Sequence, residues 1–284
     1  MVKAILVKSF STDRNEGNPA GVVLDSSNLN DTQMQHIARE LGYSETAFVE
    51  PSVEADYKVR FFAVQQEVDF CGHATVATFH SLVWSGVITP TDEPVTITQK
   101  TGIGVIPVTV FSDGRVMMTQ KEPKFGRILE DRDKVAKLLN IETSMLGDFP
   151  VQIVSTGVKK LIVPITNLKA LQSIKPSLHG IVEHGGQNGY SGVSVFSTES
   201  YSGMGDMATR NFSPSVGINE DPATGIAAGP LACYLKEYMH PDSLRFEIEQ
   251  GFDMGMPSRI FVDLTDGVDV GGYAVAFGER DFRF

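Results

Sequence analysis

Along this chain apolar residues mostly alternate with polar ones or gather in short runs, but in two places they cover nearly every side of a helix. The first is residues 69–84, in which Cys71, Gly72 and His73 open an apolar segment that runs to Trp84. A helix with so little polar surface belongs inside a core. Free N–H groups and the positive end of the helix dipole at Gly72 and His73 suit an anion. Residues 220–235 repeat the pattern, with Glu220, Asp221, Pro222, Thr224 and Gly225 leading into a second apolar segment. The repetition predicts two similar halves, each built round one buried helix, with the two N-termini facing across one anion-binding cleft.

The remaining pattern fits strands and peripheral helices. Strands are expected at residues 4–7, 20–24 and 46–49, and at 57–61, where Tyr57, Val59 and Phe61 alternate with Lys58 and Arg60. Residues 11–19 form a polar loop longer than a tight hairpin needs, which suggests a functional loop. Asp31 caps a helix ending at Gly42. Strands at 95–100, 104–110 and 115–120 precede residues 121–127, whose charge, Pro123 and Gly126 read as a linker. The second half then offers helices at 131–139 and 168–173, and strands at 151–155, 160–164, 192–196 and 205–211. After its apolar helix come strands at 244–248, 259–262 and 273–277. Pro230 lies within that helix, which therefore starts late or bends. The fold class is α+β and strand-rich, with two curled sheets each wrapped round a helix.

Composition narrows the partners. A chain of 284 residues, 42% hydrophobic and 21% charged, is globular and long enough for two domains. A formal charge of −11 with no basic run argues against nucleic acid. It does not exclude a small anion, which responds to local dipoles. The N-terminal residues read as a strand rather than a signal peptide, and no apolar run reaches the ~18 residues of a membrane span. Cytoplasm is the expected location, no membrane partner is expected, and Cys71 and Cys233 are expected as thiols.

Several residues could carry chemistry. Glu45 sits among small polar neighbours at the start of an apolar strand, where a partly buried carboxylate suits proton transfer; a surface glutamate at a loop end is the plainer reading. His73 lies at the helix mouth, able to donate to a substrate or relay a proton. His80 follows two turns later, ~10.5 Å along the axis and too far to share a metal with His73. His179 and His184 lack metal-ligand spacing and read as loop residues. Asp221 is either a plain N-cap or a group that orients His73 or a substrate hydroxyl. Cys71 precedes a helix N-terminus, which favours a thiolate and raises a two-thiol racemase. The corresponding slot of the second half holds Pro222, so that mechanism lacks its second thiol. Residues 250–259 are Gly-rich but lack the ending of a P-loop, and no dinucleotide fingerprint follows a strand. A cofactor is not indicated.

Residues 15–20, 44–48, 70–75 and 219–225, with Gln250, Gly251, Pro257 and Ser258, resemble the motifs of the PhzF family of phenazine-biosynthesis-like isomerases, in family order and across nearly the whole chain. The resemblance implies a diaminopimelate epimerase-like fold of two pseudo-symmetric domains, here residues 1–120 plus 271–284 and residues 121–270, with the last strand returning to the first domain. It implies Glu45 as the proton-transferring residue, with His73 and Asp221 in the same pocket. It also implies a homodimer, no metal and no organic cofactor. Asn18, Gly72, Thr224, Gly225 and Ile226 are the expected substrate-binding positions. Ile226 stands where phenazine-producing members carry serine, and Met256 where arginine is frequent; both bear on the substrate rather than on the general chemistry.

The expected function is a cofactor-independent isomerase moving a proton on a small carboxylate-bearing metabolite in an inter-domain cleft, with Glu45 as general acid and base. The alternatives are a non-catalytic binding or regulatory protein on the same fold, and an amino-acid epimerase or racemase using Cys71.

Overall fold

The computed structural model describes residues 1–284. In chain order the first elements are β1 (Val2–Ser9), β2 (Asn18–Val23), α1 (Asp31–Leu41), β3 (Glu45–Glu50), β4 (Tyr57–Ala63), β5 (Glu67–Val68), α2 (Gly72–Trp84), β6 (Val95–Thr101), β7 (Gly104–Val110) and β8 (Val116–Gln120). There follow β9 (Lys124–Ile128), α3 (Arg132–Leu139), β10 (Gln152–Ser155), β11 (Lys159–Pro164), α4 (Leu168–Ser173), α5 (Leu178–Asn188), β12 (Gly192–Ser197), β13 (Met207–Ser213) and β14 (Ile218–Asp221). The chain closes with α6 (Gly225–Tyr238), β15 (Arg245–Gln250), β16 (Ser258–Asp263), β17 (Val268–Gly272) and β18 (Ala274–Phe282). It divides into two compact units, Met1–Thr119 with Gly271–Phe284, and Gln120–Val270. No helix is long and apolar enough to cross a membrane.

The first unit is a curled sheet closed on α2. β1 pairs antiparallel with both β2 and the returning β18, β2 runs parallel to β3, and β3 pairs antiparallel with β4. β4 continues in parallel to β6, and β6, β7 and β8 form an antiparallel meander. α2 packs against β1, β2, β3 and β18 and is buried along its length, with only His80, Val83 and Trp84 less so. Three hydroxyls let so apolar a site accept polar residues. Thr75, Thr78 and Ser81 donate to the carbonyls of Cys71, Ala74 and Ala77 at 2.9, 2.7 and 2.8 Å, so each is satisfied within the helix. On another side α1 packs Met34, Ile37 and Ala38 against Phe48, Phe62 and Phe282.

The second unit has the same plan. β9, β10 and β11 are antiparallel neighbours, β11 runs parallel to β12, β12 pairs antiparallel with β13, and β13 runs parallel to β15, which pairs with β16. α6 packs against β10, β11 and β16, buried from Ala227 through Leu235. α3, α4 and α5 cover a second apolar layer that includes Val135, Leu139, Leu171, Ile181, Val195 and Phe212. Each unit is thus an α+β curled sheet round one central apolar helix, the epimerase-like architecture expected from the sequence.

Several local expectations need correction. Residues 124–127 of the expected linker are the strand β9, because β10 supplies antiparallel partners for Lys124, Phe125 and Ile128. His179 and His184 are not loop residues; both lie on α5, a helix hidden by Gly180, Gly185 and Gly186, all poor helix formers. His184 is buried with its Nδ1 2.8 Å from the Tyr190 hydroxyl, and burial lowers its pKa. α6 begins at Gly225 and runs to Tyr238 with Pro230 inside it, so of the two alternatives the late start is excluded.

Candidate active site

In the first unit, α2 opens without a side-chain cap at Cys71, so the N–H groups of its first turn have no acceptor within the helix. The backbone is held by two hydroxyls. Ser9 at the end of β1 donates to the His73 carbonyl at 2.7 Å, and Thr75 holds the Cys71 carbonyl. Opposite Ser9 in the β1–β2 ladder stands Asn18, 1% exposed. Gly17 sets up that approach: at φ +80° its missing Cβ would lie 2.5 Å from the Ser9 carbonyl oxygen.

Glu45, the first residue of β3, is 9% exposed and sets Oε2 3.4 Å from His73 Nε2. Ser44 Oγ also lies 3.3 Å from Nε2, and Cys71 Sγ lies 3.3 Å from Nδ1. An ionised carboxylate only accepts. The neutral tautomer with Nε2–H toward Glu45 leaves Nδ1 to accept from the Cys71 thiol, giving each group a role. Glu45, Cys71 and His73 bring their ligand atoms within 4.8 Å of one another, the spacing of a metal cluster. Cys71 Sγ approaches both ring nitrogens, at 3.3 Å from Nδ1 and 3.9 Å from Nε2, while Glu45 Oε2 lies 3.4 Å from Nε2. His80, two turns on, is half-buried and has its pKa lowered by that burial.

In the second unit, the N-cap of α6 is Thr224, not Asp221. Asp221 ends β14 opposite Asn211 of β13. Its Oδ2 accepts from the Thr224 hydroxyl at 2.6 Å, so it braces the helix mouth from three residues upstream. The adjacent Glu220 is taken up by Arg210, which donates to both its oxygens at 2.8 and 2.9 Å. Gln250 completes the mouth. Its Nε2 donates to the Asp221 carbonyl at 2.6 Å and to Thr224 Oγ1 at 3.0 Å, while its Oε1 accepts from the Thr224 N–H at 3.2 Å. Gly251 follows at φ +82°, where a Cβ would meet the Met256 and Pro222 carbonyl oxygens at 2.3 and 2.5 Å. Gly225 and Ile226 then start α6, with Ile226 partly exposed.

Glu45, His73, Gly72 and Asn18 are therefore gathered in the first unit, and Asp221, Thr224, Gly225 and Ile226 in the second. Sequence reasoning missed Ser9, Ser44 and the clamping role of Gln250. Ser44 and Gln250 lay inside the quoted motifs, but nothing local marked Ser9. Cys233 is buried within α6, and burial pushes its thiol up to about 11, unlike the helix-mouth position of Cys71.

A curled α+β sheet round one buried helix is the architecture of PhzF-family proteins among solved structures. The chain belongs to the phenazine biosynthesis-like (PhzF) family, whose model matches residues 7–280, and it is an isomerase of that family. It is 37% identical to an uncharacterized isomerase of Clostridium acetobutylicum, over 91% of this chain and 88% of that one. It is 30% identical to the trans-2,3-dihydro-3-hydroxyanthranilate isomerase of Pseudomonas aeruginosa, over 98% of each. Among solved structures, a PhzF-family phenazine biosynthesis protein of Bacillus anthracis superposes with a TM-score of 0.89 at 29% identity, covering 100% of this chain and 99% of that one.

Proposed function

We propose that this isomerase moves a proton between carbons of a small carboxylate-bearing metabolite, with Glu45 as the general acid and base. Glu45 takes a proton from an acidic carbon, the electron pair shifts along the conjugated system, and the same carboxyl returns a proton to another carbon, so no redox partner is needed. The observation that carries this reading is the buried Glu45 carboxylate 3.4 Å from His73 Nε2 at the uncapped start of α2. His73 orients the carboxylate and shares its proton. The N–H groups at Gly72 suit the substrate carboxylate in the first unit, and those at Gly225 and Ile226, near Asp221, are an anion site of the same kind in the second. The Pseudomonas aeruginosa relative's name suggests the substrate class, a hydroxylated cyclic amino acid. Ile226 favours a less polar ligand at its own position.

The test is a screen of carboxylate metabolites in D2O, including trans-2,3-dihydro-3-hydroxyanthranilate, read by carbon-bound deuterium. Deuterium that enters with intact protein and not with Glu45→Gln supports the assignment; equal incorporation by both proteins would sink it. The contact of Cys71 Sγ with His73 Nδ1 at 3.3 Å favours one second reading, an epimerase in which the thiol is the base. Loss of exchange in Cys71→Ser, with Glu45→Gln active, would select it.

A further inference from the structure

Lys160 is a charged side chain that the chemistry above leaves unused, and it is 2% exposed. It lies on β11 directly beside Gly192 of β12. A Cβ on Gly192 would fall 2.9 Å from Lys160 Nζ and 2.5 Å from Ser213 Oγ. The bare glycine backbone therefore opens the path by which Lys160 crosses a whole strand and donates to Ser213 Oγ on β13 at 2.6 Å. Asn211 Nδ2 donates to the same oxygen at 3.2 Å, while Asn211 Oδ1 is buried with no donor and adds negative potential. Asn211 and Ser213 share a face of β13, and Asn211 stands opposite Asp221. The row Lys160, Ser213, Asn211 thus leads to Asp221 at the mouth of α6.

The surrounding charges leave Asp221 as the counter-ion. β10 and β12 carry no charged residue, and Lys159 on β11 itself is exposed. Arg210 on β13 is committed to Glu220 and to the carbonyls of Leu171 and Ile174. Lys236 and Glu237 lie in the last turn of α6, far along that helix from its mouth. Burial pushes the Lys160 ammonium down to about 8, and the Asp221 charge acts the other way.

We propose that Lys160 is a positioning residue for Asp221: threaded over Gly192 and fixed by Ser213, its ammonium is the buried counter-charge that keeps Asp221 a carboxylate braced on Thr224. The inference rests on the reading of Asp221 as a site residue, but the pairing can be measured without substrate. The experiment is NMR titration of the intact protein with ¹³C-labelled aspartate carboxyls and lysine ε-carbons, in wild type, Lys160→Met and Ser213→Ala. In wild type one lysine signal, absent from Lys160→Met, is expected to titrate near 8, well below the others. The Asp221 midpoint is expected to rise by about one pH unit or more in Lys160→Met, a tenfold change in proton affinity, and by less in Ser213→Ala. A wild type in which every lysine titrates near 10.5 overturns the proposal, as does an Asp221 midpoint that stays put in either variant. Should Lys160→Met not fold, the wild-type lysine signal and Ser213→Ala decide. Deuterium exchange is scored separately: a shifted Asp221 with exchange retained keeps the pairing and removes Asp221 from the chemistry.

Discussion

The mouths of α2 and α6 have the same construction and opposite contents. Both helices are buried almost all round, and both start without a side-chain cap on the first turn. At α2 the surrounding side chains can change protonation: Glu45, His73 and Cys71 meet at 3.3 to 3.4 Å. At α6 the position matching the thiol is Pro222, and the neighbours are locked by fixed hydrogen bonds among Asp221, Thr224 and Gln250. On the function proposed above, one mouth moves protons and the other holds a shape. Two copies of one supersecondary plan can thus divide chemistry and binding by changing only the few residues ahead of the helix.

The largest expected effect falls on the titratable mouth. Glu45→Gln keeps the side-chain shape but cannot shuttle a proton, so turnover should fall by roughly 10²–10⁴ with the melting temperature nearly unchanged. Full turnover in this variant would erase the contrast between the two mouths. Next comes the backbone of the rigid mouth. Gly251→Ala forces a Cβ into two carbonyl oxygens at a left-handed φ, and should cost about 2–5 kcal/mol in urea unfolding. A loss within experimental error would mean that the loop is free to move. Gln250→Ala leaves the Thr224 N–H and the Asp221 carbonyl without their partner, and about 1–3 kcal/mol is expected. That variant should weaken ligand binding more than it slows the proton-transfer step, if this mouth binds rather than reacts.

A pH series sharpens the same contrast. Folded Lys160 releases its proton near 8, against 10.5 for an ordinary lysine. Between those values the unfolded chain holds more protons than the folded one, so this residue makes stability rise with pH across that window. Unfolding of wild type and Lys160→Met compared from pH 7.5 to 10.5 should show wild type gaining on the variant as pH rises; parallel curves would contradict it. The smallest effect is expected for Cys71→Ser. Serine keeps a donor toward His73 Nδ1, and the second unit offers Pro222 rather than a partner thiol, so turnover should change less than about tenfold if Glu45 is the base.

The sequence alone carried the two apolar helices, because continuous apolarity over three turns has no exposed solution. It also carried the flanking strands, residues 57–61 by period-two alternation and β3 as a short apolar run headed by Glu45, since both patterns are local. Other features were readable only in three dimensions. Residues 124–127 look like a linker until β10 supplies their hydrogen bonds, and α5 contains glycines that local propensity counts against a helix. Asp221 had the spacing of a cap, yet the β13–β14 ladder places it before Thr224 and gives Thr224 the cap position. Ser9 meets His73 from across the first unit, Gln250 meets Thr224 from the end of β15, and Lys160 meets Ser213 over Gly192. Local pattern records whether a side chain faces the core, because that depends on its neighbours in the chain. Which distant side chain it meets there depends on strand register and on where a glycine leaves room, and tertiary packing alone decides both.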